Sequence, residues 1–358
     1  MNPDHIDSLA KRLAGRRVTR RTAVMQGAIA ASLAGARHPL AAMAQDATPA
    51  ALPGWAAIDD HIAAAAPDAA LLAVELIDDE IVPIHRFNAD QVLPIGSSFK
   101  LWILGTLAEQ VEAGMLDWEQ IVEIEDQYRS VPGGDLRYVA AGTPFTLRYL
   151  AERMIQKSDN TATDHMLFTA GRENVEQMMA TMGVAQPGRN IPLISTRELA
   201  MLKFAYPTDK LDAYYGSDVG ERRRILAEEV DAIPYEALAD LEQTVPLEID
   251  RVEWFATRDD LARTMSWLHA ASQRPGLLPV GEIMALETQL PFDGETWPYV
   301  GFKGGSELGV LSGTWLLRRA DDRWFVYSVG FRNPDGEIDM PAAVAVMEAG
   351  RDALAQTP

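Results

Sequence analysis

Apolar runs typical of β-strands occur near both ends of the chain, whereas helical spacing of apolar residues fills the middle. Residues 71–77 and 81–87 are rich in aliphatic residues and are separated by a short acidic turn, which predicts a strand hairpin. Residues 299–303, 309–318 and 323–331 have the same character close to the C-terminus. We therefore predict an antiparallel sheet built from both chain ends.

Helical periodicity predicts the elements that cover this sheet. Thr257 and Asp260 form a capping-box pattern, and Pro341 stands at a first helical position, so both mark helix starts. The predicted helices cover residues 55–66, a segment beginning at Ser97, and residues 146–156, 161–170, 172–182, 196–205, 220–230, 261–271 and 341–354. The predicted class is α/β (α+β), with an antiparallel sheet flanked by helices and an all-helical subdomain inserted at about 97–290. We find no internal repeat.

The first 44 residues have the composition of a targeting segment. A basic stretch that includes Thr19-Arg20-Arg21 precedes a short Ala-rich apolar run, and Ala42-Met43-Ala44 supplies a small-residue cleavage signature. The run is shorter than the roughly 20 apolar residues that span a bilayer. We predict a twin-arginine-type signal peptide over 1–44, a linker over 45–54 and one catalytic domain over 55–358, in an exported protein that is periplasmic or extracellular and has no membrane span after cleavage.

Charge and cysteine content exclude several classes of function. From Gln45 onward the chain keeps 25 of its 32 basic and 50 of its 52 acidic residues, a formal charge near −25. Such a surface repels phosphate backbones, so no nucleic-acid partner is expected. The chain has no cysteine, which rules out disulfides and thiolate metal sites. We predict neither a metal nor a cofactor, and a small molecule as the substrate.

Ser97-Ser98-Phe99-Lys100 is the strongest candidate for a nucleophile with its base. Residues three apart are neighbours on a helix, so the amine of Lys100 would lie beside the hydroxyl of Ser97. The helix N-terminus would favour negative charge developing there. The chain has a second Ser-x-x-Lys pattern at Ser8 and Lys11, but it falls in the predicted signal peptide.

Two further motifs follow Ser97-x-x-Lys100 in order: Ser158-Asp159-Asn160 and Lys303-Gly304-Gly305-Ser306. The three together resemble the S-x-x-K, S-D-N and K-T-G signature of serine β-lactamases and penicillin-binding proteins. Ser158 to Asp164 and Ser97 to Lys100 are most similar to the class A type. The resemblance implies the β-lactamase/transpeptidase-like fold and acyl transfer through a serine.

The resemblance also implies a role for each motif residue. Ser97 would be the nucleophile, Lys100 the base or proton relay, and Ser158 the shuttle to the leaving nitrogen. Asn160 would hold the amide side chain of the substrate. Backbone N–H groups of Ser97 and Ser306 would form the oxyanion hole, and Lys303 to Ser306 would bind the substrate.

Lysine is scarce in this chain, with six Lys among its 32 basic residues. A lysine can act as a base when burial or a nearby cation lowers its pKa, whereas an arginine cannot. We expect Lys303 to lower the pKa of Lys100 and Ser158 electrostatically, and to offer a counter-charge to a substrate carboxylate.

Two departures from the family signature bear on function. Gly304 stands where the family usually has Thr or Ser, so a hydroxyl contact is missing, which Ser306 could replace. The E-x-x-L-N element that holds the deacylating glutamate of class A enzymes is absent. The nearest candidate is Glu198, although its spacing does not fit and a solvated first-turn glutamate is the competing interpretation.

Three functions therefore stay open at the level of sequence. The first is a class A type β-lactamase. The second is an esterase or D,D-peptidase that releases β-lactams slowly; Phe302 to Gly305 with Thr196 to Glu198 also resemble, more loosely, the β-lactamase-like domain of the cephalosporin-esterase type protein of clavulanic acid clusters. The third is a non-catalytic cell-wall or ligand-binding protein with the same fold.

Overall fold

A five-stranded antiparallel sheet forms the centre of the molecule in the computed structural model, which describes residues 54–78, 80–238 and 243–358. The strand order is β2-β1-β9-β8-β7, so strands from the two chain ends pair through β1 and β9. This confirms the predicted antiparallel sheet. The predicted signal peptide and the linker up to residue 53 lie outside the described residues.

The strands have the following bounds: β1 Asp68–Ile77, β2 Glu80–Phe87, β3 Leu93–Pro94, β4 Ile121–Glu123, β5 Pro144–Thr146, β6 Phe255–Ala256, β7 Tyr299–Glu307, β8 Val310–Arg318 and β9 Trp324–Arg332. Strands β3 with β6, and β4 with β5, form two small two-stranded sheets. The first of these holds the chain just before Ser97 against the residues that precede Thr257.

The helices have the following bounds: α1 Trp55–Ala65, α2 Lys100–Glu112, α3 Leu147–Gln156, α4 Asn160–Ala170, α5 Arg172–Thr181, α6 Thr196–Phe204, α7 Thr208–Gly216, α8 Val219–Ile225, α9 Arg258–Ser272, α10 Leu278–Met284 and α11 Met340–Ala355. Helices α2 to α10 lie between the strands of the two chain ends in sequence, as predicted. Thr257 and Asp260 form the predicted capping box at the start of α9.

The sheet is buried on both faces, because successive side chains of a strand point to opposite sides. In β1, Leu72 and Val74 belong to one apolar core, whereas Leu71 and Ala73 belong to the other. The first core contains the helices of the inserted region, and the second contains α1 and α11. Burial on both faces explains why β1 is a continuous apolar run.

The segment after α6 differs from its prediction. The sequence predicted one helix at about 220–230 in an acidic stretch, but α7 also forms, and α8 continues into a π-helical turn at Leu226–Val230. Leu211 and Tyr214, three residues apart on α7, are buried in the core. Two apolar positions among acidic ones gave too weak a pattern for a helix to be predicted.

Among the described residues, no helix combines the length and the apolar character needed to cross a membrane.

Candidate active site

Ser97 lies in a 3-10 turn, Gly96–Phe99, that leads directly into α2. The sequence placed it in the first turn of an α-helix, and α2 begins only at Lys100. Residues three apart eclipse each other in a 3-10 turn, so Ser97 and Lys100 lie on the same side of the turn. The amine of Lys100 is hydrogen-bonded to Ser158 and Asn160. Phe99, the last residue of the turn, stacks on Trp254, with ring centroids 3.8 Å apart.

The turn of Ser97 packs against β7 at a distance that only glycine permits. Gly96 has a φ of +49°, and a Cβ added there would lie 2.9 Å from the backbone nitrogen of Ser306. A Cβ on Gly305 would lie 2.3 Å from the backbone nitrogen of Ser97. The backbone segments that present the N–H groups of Ser97 and Ser306 are therefore in direct contact, as a shared oxyanion hole requires.

Two buried lysines meet at the hydroxyl of Ser158. Lys100 Nζ and Lys303 Nζ each donate to Ser158 Oγ at 3.1 Å. A hydroxyl oxygen has two lone pairs and one proton, so both of its acceptor positions are used and its proton is left to donate elsewhere. This is the arrangement expected of a group that delivers a proton to a leaving nitrogen.

Other hydrogen bonds fix the two lysines and the motif after α3. Lys100 Nζ also donates at 2.7 Å to the Ser158 carbonyl and at 2.7 Å to Asn160 Oδ1, while Asn160 Nδ2 donates to the Pro132 carbonyl at 2.6 Å. Lys303 Nζ donates to the carbonyl of Gly304 at 2.7 Å. Ser158 is held at a φ of +53°, in the left-handed region. Such backbone strain in a non-glycine residue is found preferentially at functional sites.

Burial sets the ionisation of the lysine pair. Desolvation lowers the pKa of Lys100 to about 7, although Asp159 and Asp164 oppose the change. Desolvation and the charge of Lys100 lower the pKa of Lys303 well below its usual range. The sequence attributed the lowered pKa of Lys100 to repulsion by Lys303; its main cause is burial, and the repulsion acts on Lys303.

Acylation of Ser97 is expected to accelerate as the pH rises through about 7, because the neutral amine of Lys100 is the form that accepts a proton. The rate of acylation by a penicillin, followed by stopped-flow mixing between pH 5 and 9, measures this. A rate independent of pH across that range would show that Lys100 is not the base.

The predicted residues meet at one pocket of about 520 Å³. Its lining includes Ser97, Ser158, Asn160, Gly304, Gly305 and Ser306. Lys100 and Lys303 are buried and reach the pocket through Ser158. The structure thus brings residues of all three motifs together at this pocket.

Gly304 replaces a hydroxyl residue for a steric reason. A Cβ at this position would lie 2.7 Å from the ring of Phe302 and 3.0 Å from the carbonyl oxygen of Ser312. A threonine at this position would require the ring of Phe302 to move and would press against the backbone of β8. Ser306, at the other end of the motif, is the nearest hydroxyl on β7 that lines the pocket.

Glu198 is not among the residues that line this pocket. Its carboxylate forms two hydrogen bonds with Arg172, at 2.7 and 3.0 Å, and accepts the backbone N–H of Ser195 at 2.6 Å in a capping box. The side chain is only 1% exposed, so the solvated first-turn glutamate of the competing interpretation is also not what forms. Its ion pair ties α6 to α5.

A cluster of Lys203, Glu307 and Glu253 lies beside the turn of Ser97, and both glutamates are among the residues that line the pocket. Lys203 Nζ is ion-paired with Glu307. Glu253 Oε2 accepts the N–H of Trp254 at 2.7 Å and that of Gly96 at 3.2 Å. Burial, and then the charge of Glu307, raise the pKa of Glu253 well above its usual range. The cluster connects α6, the end of β7 and the turn of Ser97.

Thr196 and Asp164 are the site residues that the sequence did not single out. Thr196 lines the pocket, and its hydroxyl lies 2.7 Å from Asp164 Oδ1. Asp164 is four residues after Asn160 on α4, and therefore on the same helix face. That spacing is the signal that would have identified it.

A family model described as "Beta-lactamase enzyme family" matches residues 55–210. Two solved β-lactamases are similar in structure. The enzyme from Sphaerobacter thermophilus DSM 20745 has a TM-score of 0.59 at 18% identity, covering 85% of this chain and 98% of that one. The enzyme from Chitinophaga pinensis DSM 2588 has a TM-score of 0.57 at 15% identity, covering 83% and 97%. The chain has the β-lactamase/transpeptidase-like fold.

A further neighbour with this β-lactamase-like fold is a mutant of PBP-A, solved as its acyl-enzyme complex with penicillin G. Its TM-score is 0.52 at 14% identity, with 85% of this chain and 99% of that one covered. The family match and these neighbours support a relationship to serine β-lactamases and penicillin-binding proteins. No curated protein sequence matches the chain.

Within the described ranges, no three His, Asp or Glu side chains are grouped as ligands for a metal ion.

Proposed function

We propose that this chain is an exported serine hydrolase that forms an acyl-enzyme on Ser97 and hydrolyses the β-lactam ring, in the manner of a class A β-lactamase. The observation that supports this most is the hydroxyl of Ser158, which accepts from both Lys100 and Lys303 at 3.1 Å beside the pocket of Ser97. A doubly accepting hydroxyl is a prepared proton donor for a leaving amine.

The reaction begins when Lys100 is a neutral amine, which keeps two of its three donated hydrogen bonds and has one free lone pair. Ser97 Oγ attacks the carbonyl carbon of the substrate and gives its proton to that lone pair. Backbone N–H groups of Ser97 and Ser306 stabilise the oxyanion of the tetrahedral intermediate. Ser158 then donates its proton to the leaving nitrogen as the C–N bond breaks, and takes a replacement from Lys100. The acyl group remains on Ser97 as an ester, and both lysines return to their starting state.

Comparison with similar proteins supports the same reaction at this site. The family model matches the part of the chain that contains Ser97, Lys100, Ser158 and Asn160. The PBP-A mutant, which shares the fold, was solved as an acyl-enzyme with penicillin G. A small acyl donor of this chemical class suits a pocket of about 520 Å³.

Export belongs to the same proposal. The twin-arginine segment of residues 1–44 would direct a folded protein out of the cytoplasm, where it would meet β-lactams or cell-wall peptides. Fusion of residues 1–50 to a reporter that requires twin-arginine passage tests this, with both Arg20 and Arg21 changed to lysine as the control. Equal export of the two fusions would contradict it.

Hydrolysis of a chromogenic cephalosporin by the purified protein tests the main proposal. We expect turnover by the native protein and none by Ser97→Ala. Absence of both turnover and covalent labelling in the native protein would eliminate a β-lactamase.

An esterase or D,D-peptidase is the second candidate, and one observation favours it. Glu198 is occupied by Arg172 and Ser195, so the glutamate that the sequence offered for deacylation does not serve. This candidate predicts rapid acylation by β-lactams, slow release, and turnover of activated esters such as p-nitrophenyl acetate. Release of the penicillin adduct that is much slower than turnover of the activated ester would favour this candidate over a β-lactamase.

The third candidate is a non-catalytic binding protein, and unlike the other two it forms no covalent adduct on Ser97. Ser97→Ala would then leave the affinity for ligand intact, and the native protein would never acquire a covalent adduct.

A further inference from the structure

Gln289 lines the pocket with a side-chain amide that no described residue binds. The residue is 5% exposed and belongs to the pocket lining together with Phe302 and Gly304. Its Oε1 is buried without a hydrogen-bond partner, and no hydrogen bond among the described residues involves its Nε2. Buried amides are normally paired, because an unpaired one loses the hydrogen bonds that it had with water. The amide is therefore available to pair with a bound molecule.

The packing of Trp315 places Gln289 near Gly304. Trp315 Nε1 donates to the carbonyl of Thr288, the residue before Gln289, at 2.9 Å. The same indole packs on Phe302, with ring centroids 4.9 Å apart. The ring of Phe302 lies 2.7 Å from the position that a Cβ of Gly304 would take. Gln289 thus lies at the part of the pocket where the hydroxyl of the family signature is missing.

This part of the pocket receives the leaving group in the proposed reaction. Lys303 Nζ donates to the carbonyl of Gly304 at 2.7 Å and to Ser158 Oγ at 3.1 Å. Ser158 is the proposed proton donor to the leaving nitrogen, so the substituents of that nitrogen are placed toward Gly304 and Gln289. In a penicillin, the carbon bonded to this nitrogen carries a carboxyl group.

A carboxylate of the protein lies in the same turn as Gln289. Glu287 Oε1 accepts the N–H of Thr288 at 3.0 Å and that of Gln289 at 3.3 Å. A substrate anion at Gln289 would be repelled by Glu287, whereas a neutral carbonyl group can accept from the amide without that repulsion. The formal charge near −25 from Gln45 onward acts in the same direction, because it lowers the local concentration of anions.

Little positive charge is available to offset this repulsion. Lys303 was expected to offer a counter-charge to a substrate carboxylate, but it is only 1% exposed and its Nζ is already bonded to Ser158 and Gly304. No arginine is found among the described residues that line the pocket, and Lys157 is its one exposed lysine.

We propose that Gln289 donates a hydrogen bond to an uncharged carbonyl oxygen beside the leaving nitrogen, so that the pocket selects acyl donors with a neutral ester or amide there over those with a free carboxylate. This inference rests on the proposed acylation of Ser97 and names the class of substrate for that reaction. The ring of Phe302, which also lines the pocket, provides an apolar contact for the alkyl part of an ester.

Penicillin G and its methyl ester test the selection, because they share the ring and the acyl side chain and differ only in this charge. Intact-mass spectrometry of quenched samples gives the second-order rate of adduct formation for each. We expect the native protein to react about threefold faster with the ester than with the acid at low ionic strength. The difference should shrink as salt is added, since salt screens the repulsion.

Two variants separate the hydrogen bond from the charge. Gln289→Leu keeps a similar volume without the amide, and should lower the ratio of the ester rate to the acid rate about fivefold. Glu287→Gln keeps an oxygen for the two N–H groups but removes the charge, and should accelerate the acid about threefold without changing the ester. A purely structural role of either residue would slow both substrates alike. Glu295→Gln, an exposed change in the same segment, should alter neither rate.

The outcomes distinguish this inference from the proposed function. If the native protein reacts with the acid much faster than with the ester, or if Lys157→Met slows the acid alone, the pocket recognises a carboxylate and the inference is wrong, while acylation of Ser97 stands. An unchanged rate ratio in Gln289→Leu would likewise overturn it. If neither compound forms an adduct on Ser97, the proposed function itself fails, and the inference with it.

Discussion

Lys100→Met is expected to slow the acylation of Ser97 by a factor on the order of 10³, because it removes the amine that contacts Ser158 and that the proposed mechanism uses to accept the proton of Ser97. Methionine fills a similar volume without a charge. The burial that lowers the pKa of Lys100 to about 7 is what makes an amine useful as a base here. The rate of adduct formation with penicillin G, compared at pH 7.5, measures the effect.

Lys157→Met is the matched control for this prediction. Lys157 lines the same pocket and precedes Ser158, but its side chain is exposed. Its removal should leave the acylation rate close to that of the native protein. A Lys100→Met variant that keeps its fold, as judged by circular dichroism, and still acylates at the native rate would assign the base to another residue.

Lys203→Met is expected to destabilise the protein by about 3 kcal/mol near pH 7.5, as is typical when one partner of a buried ion pair is removed. The side chain of Lys203 is 0% exposed and that of Glu307 is 12% exposed, so little solvent reaches the carboxylate that is left behind. Lys203 also holds down the pKa of Glu253, which burial and Glu307 raise. Denaturant unfolding gives the change in free energy.

The loss of stability caused by Lys203→Met should become larger as the pH rises. Without Lys203 the pKa of Glu253 rises further above its unfolded value. Stability is then fully present below the unfolded pKa and is lost as the pH rises through the raised folded pKa. The deficit of Lys203→Met should therefore be smaller at pH 5 than at pH 8.

Lys210→Met is the control for this second prediction, because Lys210 is paired with Glu229 on the surface, where its side chain is 54% exposed. Surface ion pairs contribute little to stability. If Lys203→Met were as stable as Lys210→Met at pH 8, the cluster of Lys203, Glu307 and Glu253 would have no role in holding α6 to β7.

The sheet and the three motifs were predictable from sequence because both depend on local patterns. Apolar runs at the two chain ends defined strands that could pair only with each other. Ser97, Ser158 and Lys303 were recognisable since each lies in a short motif and the three motifs follow a fixed order. Their convergence on one pocket follows from the fold that the order implied.

Other features depend on contacts that no local pattern encodes. Glu198 was a candidate because of its position in the chain, but Arg172, which lies 26 residues earlier, determines what its carboxylate does. The contact between Thr196 and Asp164 is formed by the packing of α6 against α4. The missing hydroxyl at Gly304 is likewise explained by Phe302 and Ser312, which occupy the space that its Cβ would need.

The same limit applies to electrostatics. The sequence indicated that lysines would be the chemically active cations, since lysine is scarce and arginine cannot act as a base. It could not give the degree of burial, which is the main cause of the lowered pKa of both Lys100 and Lys303. Repulsion between charges can be inferred from motifs, whereas desolvation requires the packed structure.

Formation of a covalent adduct on Ser97 is the central claim, and one measurement tests it most directly. The protein is mixed with penicillin G, quenched after intervals from milliseconds to minutes, and analysed by intact mass and by peptide mapping. We predict a mass increase of one penicillin, located on the peptide that contains Ser97, absent in Ser97→Ala, and declining with time as the acyl group is released. An unchanged mass at every interval, or an adduct on any other residue, would contradict the account.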